Sequence, residues 1–296
     1  MKKTKSFGQY LIQFRTLLIL IALAIVFIIL KPVFLNPTNL MNMIKRMSYT
    51  AITGFGMTFL LVLGVFDLSA GSTAALVGVT LAYCLNKGAP VGIMLPAVIL
   101  LGIFCGWLNG IITVKGKIAA FLTTLATMNI YRGLAQTITA GRTVSIKIEW
   151  LTKFFANGRI GGLVPNPLVF TAIIFIICWI LYYKTKFGYY CRCIGGNMEA
   201  ANVAGIKTDR IRIVAFSFMG LISAIAGLIL AGLMNAGMPD IGDSLAMDSI
   251  TAAVLGGTAL SGGVGSMWGT LGGALDRKST RLNSSHPTTS RMPSSA

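Results

Sequence analysis

Long stretches without a single charged side chain recur along this chain, and no other feature restricts its fold as severely. They cover residues 16–30, 47–66, 68–86, 88–114, 118–131, 160–183, 213–239 and 249–275. A bilayer core about 30 Å thick takes about 20 apolar residues per helix, and inside it each backbone N–H and C=O must be satisfied within the segment. Only 11% of the 296 residues are charged and 55% are hydrophobic, where a soluble domain carries about 25% charge. A soluble globular fold is excluded. The predicted class is all-α, a polytopic transmembrane helix bundle with eight spans. The first run is short, but Lys31 can snorkel and let it continue through Val33, Phe34 and Leu35. The fifth is expected to run past Arg132 to Ala140. Residues 1–30 carry Lys2, Lys3 and Lys5 before an apolar stretch; lacking a small-residue cleavage site, they read as a retained signal anchor rather than a cleaved signal peptide.

A formal charge of +17 invites a nucleic-acid reading, but the bases sit in short connectors between apolar runs, where cytoplasmic loops collect them. No nucleic-acid partner is expected; membrane lipid is. Lys2, Lys3, Lys5 and Arg15 precede the first run, Lys115 and Lys117 follow the fourth, and Lys184, Lys186, Arg192, Lys207, Arg210 and Arg212 follow the sixth. In an alternating count these fall on one side, which places the N-terminus in the cytoplasm of an inner-membrane, multi-pass protein. Asp240, Asp243 and Asp248 mark an outward connector. Lys45 with Arg46, and the connector from Arg142 to Arg159, are basic yet fall outside in this count. Cys84, Cys105, Cys178, Cys191 and Cys193 lie mostly in apolar runs without metal-ligand spacing, so neither a disulfide framework, a metal site nor a cofactor is expected.

From Asp276 the composition turns abruptly to Ser, Thr, Pro and Arg: DRKSTRLNSSHPTTSRMPSSA. This segment resembles the translation of a short-read sequencing adapter, so residues 1–275 are read as the native domain, truncated, and residues 276–296 as a non-native tail. A natural disordered tail is the alternative. Setting aside Asp276, Arg277, Lys278, Arg281 and Arg291 leaves 21 basic and 7 acidic residues, a net charge of +14, and removes His286, the only histidine.

Glycines repeat every four residues at Gly102, Gly106 and Gly110 and again at Gly265, Gly269 and Gly273, which reads as close helix packing in lipid. Asp67 stands between two charge-free runs within FDLSAGS. An intramembrane carboxyl is a candidate functional group, and with Ser69 it could face a cavity; the plainer reading is an N-cap for the following helix. Asn109, Thr123, Thr124, Thr127 and Asn129 could line a path offering hydrogen bonds to a hydroxylated solute, although threonines in apolar helices commonly bond back to their own backbone.

The connector from Lys184 to Arg212 is too long for a tight hairpin. Gly195, Gly196 and Asn197 are read as a turn; Glu199, Ala200, Ala201, Val203 and Ala204 then form a short small-residue helix ended by Gly205. Such a helix can dock into a partner's groove or be a solvated connector.

IGGNMEAANVAGI resembles the permease loop of the ribose and monosaccharide branch of bacterial ATP-binding-cassette importers. FDLSAGS after GMTF, NGIITVKGKIAAFLTTLATMNIYRGLA and ITAAVLGGTALSGGVGSMWGTLGGAL resemble the same family, in family order through nearly all of residues 1–275. The resemblance implies a homodimeric or paired permease of about ten helices per subunit. It would be served outside by a periplasmic or lipid-anchored substrate-binding protein and inside by an ATPase subunit touching Gly195, Gly196, Asn197, Glu199, Ala200, Ala201 and Gly205. Asp67, Ser69, Asn109, Thr123 and Thr124 are the translocation-path candidates. Two departures stand out: Ile118, Ala119, Ala120 and Phe121 replace the usual proline pair, and the last helices are missing after Leu275. The function expected is import of a small hydroxylated solute, a monosaccharide such as ribose. The chain itself is not expected to be an enzyme, since it has no G-x-x-x-x-G-K-[ST] phosphate loop. The rivals are a secondary transporter coupling proton or sodium movement to Asp67 at a broken helix, and a purely structural membrane subunit.

Overall fold

Charge-free runs become helices here, and glycines decide how close those helices lie. The computed structural model describes residues 37–162 and 164–281; the first run and the signal-anchor reading lie outside them. Residues Ile44–Arg277 form one compact unit, and Met1–Met43 with Lys278–Ala296 fall in another, of which only helix ends are described. In chain order the helices are α1 (Pro37–Val62), α2 (Ala70–Asn86), α3 (Val91–Lys115), α4 (Ala120–Thr139), α5 (Glu149–Thr152), α6 (Asn166–Lys184), α7 (Lys186–Gly196), α8 (Met198–Val203), α9 (Thr208–Met234), α10 (Leu245–Leu255) and α11 (Met267–Arg281). Two-residue strands β1 (Val144–Ser145), β2 (Arg159–Ile160), β3 (Val164–Pro165) and β4 (Ala236–Gly237) pair as β1 with β4 and β2 with β3, both antiparallel.

The all-α class is as expected, but not every charge-free run is a single helix. Among the described residues, α3, α6 and α9 are long and apolar enough to cross a membrane, while α2 and α10 are shorter apolar helices. The run 249–275 is not one helix. Gly257, Gly262 and Gly263 have φ of +86°, +92° and +78°, a region glycine enters without a Cβ penalty, and the chain turns between α10 and α11. The two then pack antiparallel: a Cβ on Gly256 or Gly269 would meet the other's backbone, and one on Gly273 would meet Ala252. Gly269 and Gly273 thus serve a hairpin, while Gly265 lies in its turn. At 11 residues, α10 is only about 16 Å long, too short to cross by itself.

Lys45 and Arg46 do not form a connector either. Lys and Arg are good helix formers, and α1 runs through both from Pro37. Ile160, Val164 and Pro165 leave the sixth run for the paired strands β2 and β3, so α6 starts only at Asn166, with a proline in its first turn. The fifth run extends past Arg132 as predicted, ending at Thr139 with Ala140 left-handed (φ +50°).

The expected glycine stripe on α3 does pack. A Cβ on Gly102 would lie 2.5 Å from Ala224 Cβ, one on Gly106 2.9 Å from Gly220 N, and one on Gly110 2.9 Å from Ile213 Cα. Contacts that rise along α3 and fall along α9 make the pair antiparallel. Lys115 and Thr208 therefore share one end of the unit, together with the basic connector 184–212. The opposite end holds residues 140–165, where Lys45 Nζ donates to Asn157 Oδ1 at 3.3 Å. The basic groups at odds with the sidedness count lie together there. Phe59 packs its ring on Tyr182, Phe187 and Phe218 at 5.6, 5.4 and 5.3 Å, tying α1 to α6, α7 and α9.

Candidate translocation and coupling sites

Residues 63–69 interrupt the chain between α1 and α2 and bring Asp67 into the interior, where it is 2% exposed. Asp67 Oδ1 accepts from the Ser69 N–H and the Ser69 hydroxyl, both at 2.7 Å. This is an aspartate turn, with the side chain bonding its own backbone two residues on. It is not the expected helix cap: Ser69 holds the N-cap position of α2 and makes no side-chain cap bond. Asn109 Nδ2 from α3 donates to Ser69 Oγ at 2.8 Å. Its other end, Oδ1, lies 3.3 Å from the Tyr131 hydroxyl of α4, which also donates to the Cys105 carbonyl at 3.0 Å. Asp67, Ser69, Asn109 and Tyr131 thus form one buried polar chain across α2, α3 and α4. Sequence patterning points to the first three; Tyr131 is added by the structure.

The threonines divide. Thr124 Oγ1 donates to the Ala120 carbonyl at 2.8 Å and Thr127 Oγ1 to Thr123 at 3.1 Å, while Asn129 Nδ2 bonds back to Leu125 at 3.1 Å. These serve their own helix. Thr123 differs: among the described residues its buried hydroxyl has no partner, and the same holds for Ser72 and Thr113. Buried hydroxyls are ordinarily bonded. Ser72 lies one turn from Ser69 and Thr113 one turn from Asn109, so these hydroxyls extend the polar chain with free bonding capacity.

Arg132 lies in the C-terminal half of α4, in a helix expected simply to run past it. It pairs with Asp243, donates to the Pro239 carbonyl, and donates to that of Ile241 at 2.9 Å. One turn on, Gln136 Nε2 bonds Asp240 at 3.2 Å. A cation inside an apolar helix is expensive and marks function by default, which was the signal to read. The exposed faces also differ: α3 presents Leu100, Phe104 and Trp107 and α6 presents Ile173, Ile176, Ile177 and Ile180, whereas α4 also presents Asn129, Gln136 and Thr137.

At the basic end, Gly195 and Gly196 are not a turn but the last residues of α7. A Cβ on Gly195 would fall on the Val62 carbonyl and 2.7 Å from Gly263 N, so this glycine serves close packing within the chain. Asn197 is the hinge: its backbone is extended and its Oδ1 accepts from Ala200 N at 2.9 Å, capping α8. Gly205 (φ +81°) ends α8, with Ile206 N bonded to Ala201 O at 3.0 Å and Gly205 N to Asn202 O at 2.9 Å, the paired bonds of a Schellman stop. Ala201 is buried against its own protein at 4% exposure, whereas Val203 stands 90% exposed. Glu199 and Ala200 share that exposed surface with Val203. A cavity of about 540 Å³ opens alongside, between Tyr189, Tyr190, Gly205, Lys207 and Arg210. Burial pushes the Cys191 thiol up to about 12, so it stays protonated and inert.

Residues 39–275 match the family model described as the branched-chain amino acid transport system / permease component. The chain belongs to this family. It is 35% identical to the ribose import permease protein RbsC of Haemophilus influenzae over 271 residues, 90% of this chain and 84% of that one. To RbsC of Bacillus subtilis it is 38% identical over 257 residues, 86% and 80% of the two chains. To the L-arabinose transport system permease protein AraH of Escherichia coli it is 40% identical over 275 residues, 93% and 83%. No solved structure matches. Permease membership agrees with the apolar helices in describing a multi-pass inner-membrane protein, and it does not favour the proton- or sodium-coupled alternative built on Asp67.

Proposed function

We propose that this permease carries a pentose inward across the inner membrane as one subunit of an ATP-driven importer. The similarity to ribose and arabinose permeases along at least four-fifths of their length carries the reading. Hydrolysis belongs to a separate ATPase subunit seated on the exposed side of α8, at Glu199, Ala200 and Val203. Gly195, Gly196, Asn197, Ala201 and Gly205 set the shape and position of that helix. A substrate-binding protein, periplasmic or lipid-anchored, meets the opposite end, and a second permease subunit covers the mixed polar face of α4. The N-terminus lies in the cytoplasm. Residues 1–275 are the permease domain and 276–296 a foreign tail.

For the path, Asn109 and Thr123 offer the sugar amide and hydroxyl partners, Asp67 and Ser69 orient Asn109, and Thr124 holds its own helix. A pentose needs several donors and acceptors in a dry interior, because each unpaired hydroxyl costs free energy. The experiment is uptake of labelled ribose, arabinose and xylose into vesicles holding the permease with its ATPase and binding protein. Uptake that requires all three proteins and ATP supports the reading. Uptake by the permease alone, collapsing when only the proton gradient is removed, overturns it.

A further inference from the structure

The turn between α10 and α11, residues 256–266, is bonded outward to α1 and α6 and packed directly against α7. Inside the turn, Ala259 N donates to Val264 O at 3.0 Å and Gly262 N to Ala259 O at 3.3 Å, closing a small loop that can move as a piece. Outward from it run three attachments. Gly263 N donates to the Val62 carbonyl at 2.8 Å, and Gly195 lies directly against that bond, leaving no room for a side chain. A Cβ on Gly262 would stand 2.7 Å from the Gly195 carbonyl, and one on Gly263 would stand 3.2 Å from Gly196 Cα. Tyr182 Oη donates to the Gly265 carbonyl at 3.0 Å, and the Arg192 guanidinium of α7 sits over the Tyr182 ring at 5.0 Å. The tip meanwhile presents Leu260 and Val264, 58% and 63% exposed.

We propose that residues 256–266 form the inner gate of the permease, with Leu260 and Val264 as its apolar barrier, and that α7 is the strut that moves it. The proposal rests on the reading of this chain as an ATP-driven permease. Only Asn197 separates α7 from α8, and Asn197 is bonded into α8, so a push on the docking helix passes to α7 across one residue. From α7 it reaches the turn at two places, the Gly195–Gly263 backbone seat and the Arg192–Tyr182–Gly265 stack. Direct backbone packing transmits displacement without the slack of long side chains. Apolar side chains at a constriction close it by excluding water.

The test uses the assembled importer in vesicles, with the native cysteines replaced and Val264→Cys as reporter. Labelling by a water-soluble maleimide is measured from the inner face, without nucleotide and after trapping with ATP and vanadate, beside ATP-driven uptake. The reporter should label at different rates in the two states. Tyr182→Phe with Arg192→Gln removes one attachment without adding bulk. The ATPase should still co-purify and hydrolyse ATP, while the nucleotide-dependent difference in labelling is lost and fewer sugars enter per ATP. A reporter that labels alike in both states of an importer that transports overturns the gate. A nucleotide response that survives the double variant unchanged overturns the strut. Absence of ATP-driven uptake in the reporter parent, with the importer assembled, instead counts against the permease reading beneath both.

Discussion

Gly106→Ala isolates what the α3–α9 crossing contributes. The added methyl would fall on the Phe216 carbonyl and within 2.9 Å of Gly220 N, so α9 must retreat by roughly 1 Å to restore ordinary contact distances. Gly102 and Gly110 lie on the same stripe and lose contact with Ala224 and Ile213 in the same movement. Gaps of that size forfeit about a quarter to a half of each dispersion well, and lipid supplies no hydrophobic force between helices to offset the loss. The expected cost is about 1–3 kcal/mol, or roughly 2–12 °C in the unfolding midpoint at about 2–4 °C per kcal/mol. Gly92, on the same helix, meets nothing within 4 Å. Gly92→Ala should therefore hold or raise the midpoint, by up to about 1 kcal/mol of helix propensity. Thermal unfolding of the two purified variants in one detergent, followed by tryptophan fluorescence, measures both. Equal shifts in the same direction would refute the packing argument, since the sequence change is identical.

Asp67→Leu strands the Ser69 N–H and hydroxyl, costing about 1–3 kcal/mol, whereas Asp67→Asn keeps an acceptor and should retain most uptake; loss of transport in Asp67→Asn with normal assembly would contradict the turn-holding role. Ala201→Trp should fail by disrupting the connector's own packing, seen as a lowered unfolding midpoint, while Val203→Glu should leave the midpoint alone and abolish co-purification of the ATPase. Long-read sequencing of the source DNA should continue with apolar codons after Leu275; recovering the codons for residues 276–296 in that read removes the foreign-tail interpretation.

Charge-free runs made the helical class legible, because lipid leaves a backbone few alternatives. They did not locate helix ends. Glycine permits both close packing and turns, so the stripe at Gly102, Gly106 and Gly110 and the spacing at Gly265, Gly269 and Gly273 read alike, although one is a helix face and the other crosses a turn. Within the docking segment, the short helix and its glycine stop at Gly205 were visible from composition. The side of α8 turned inward was not, since Ala200, Ala201 and Ala204 are chemically the same and only packing distinguishes them. Asp67 was visible as a lone carboxyl, but the rest of its polar chain, Asn109 and Tyr131, lies far along the sequence and joins it only in three dimensions. Arg132 was equally visible and was passed over because the helix continued through it.

The pairing of β1 with β4 also has a consequence for biogenesis. Val144 faces Gly237 across the ladder, so the earlier strand waits for a partner about 90 residues downstream, roughly 5–18 s at about 5–20 residues per second of synthesis. Asn157 waits somewhat less, since it binds Gly232 O and Asn235 Oδ1. During that interval α6 through α9 emerge while the loop between α4 and α6 lacks its anchor. Arrival of the far end of α9 is the event that closes this surface, so on the translating ribosome it is settled late although its sequence emerges midway.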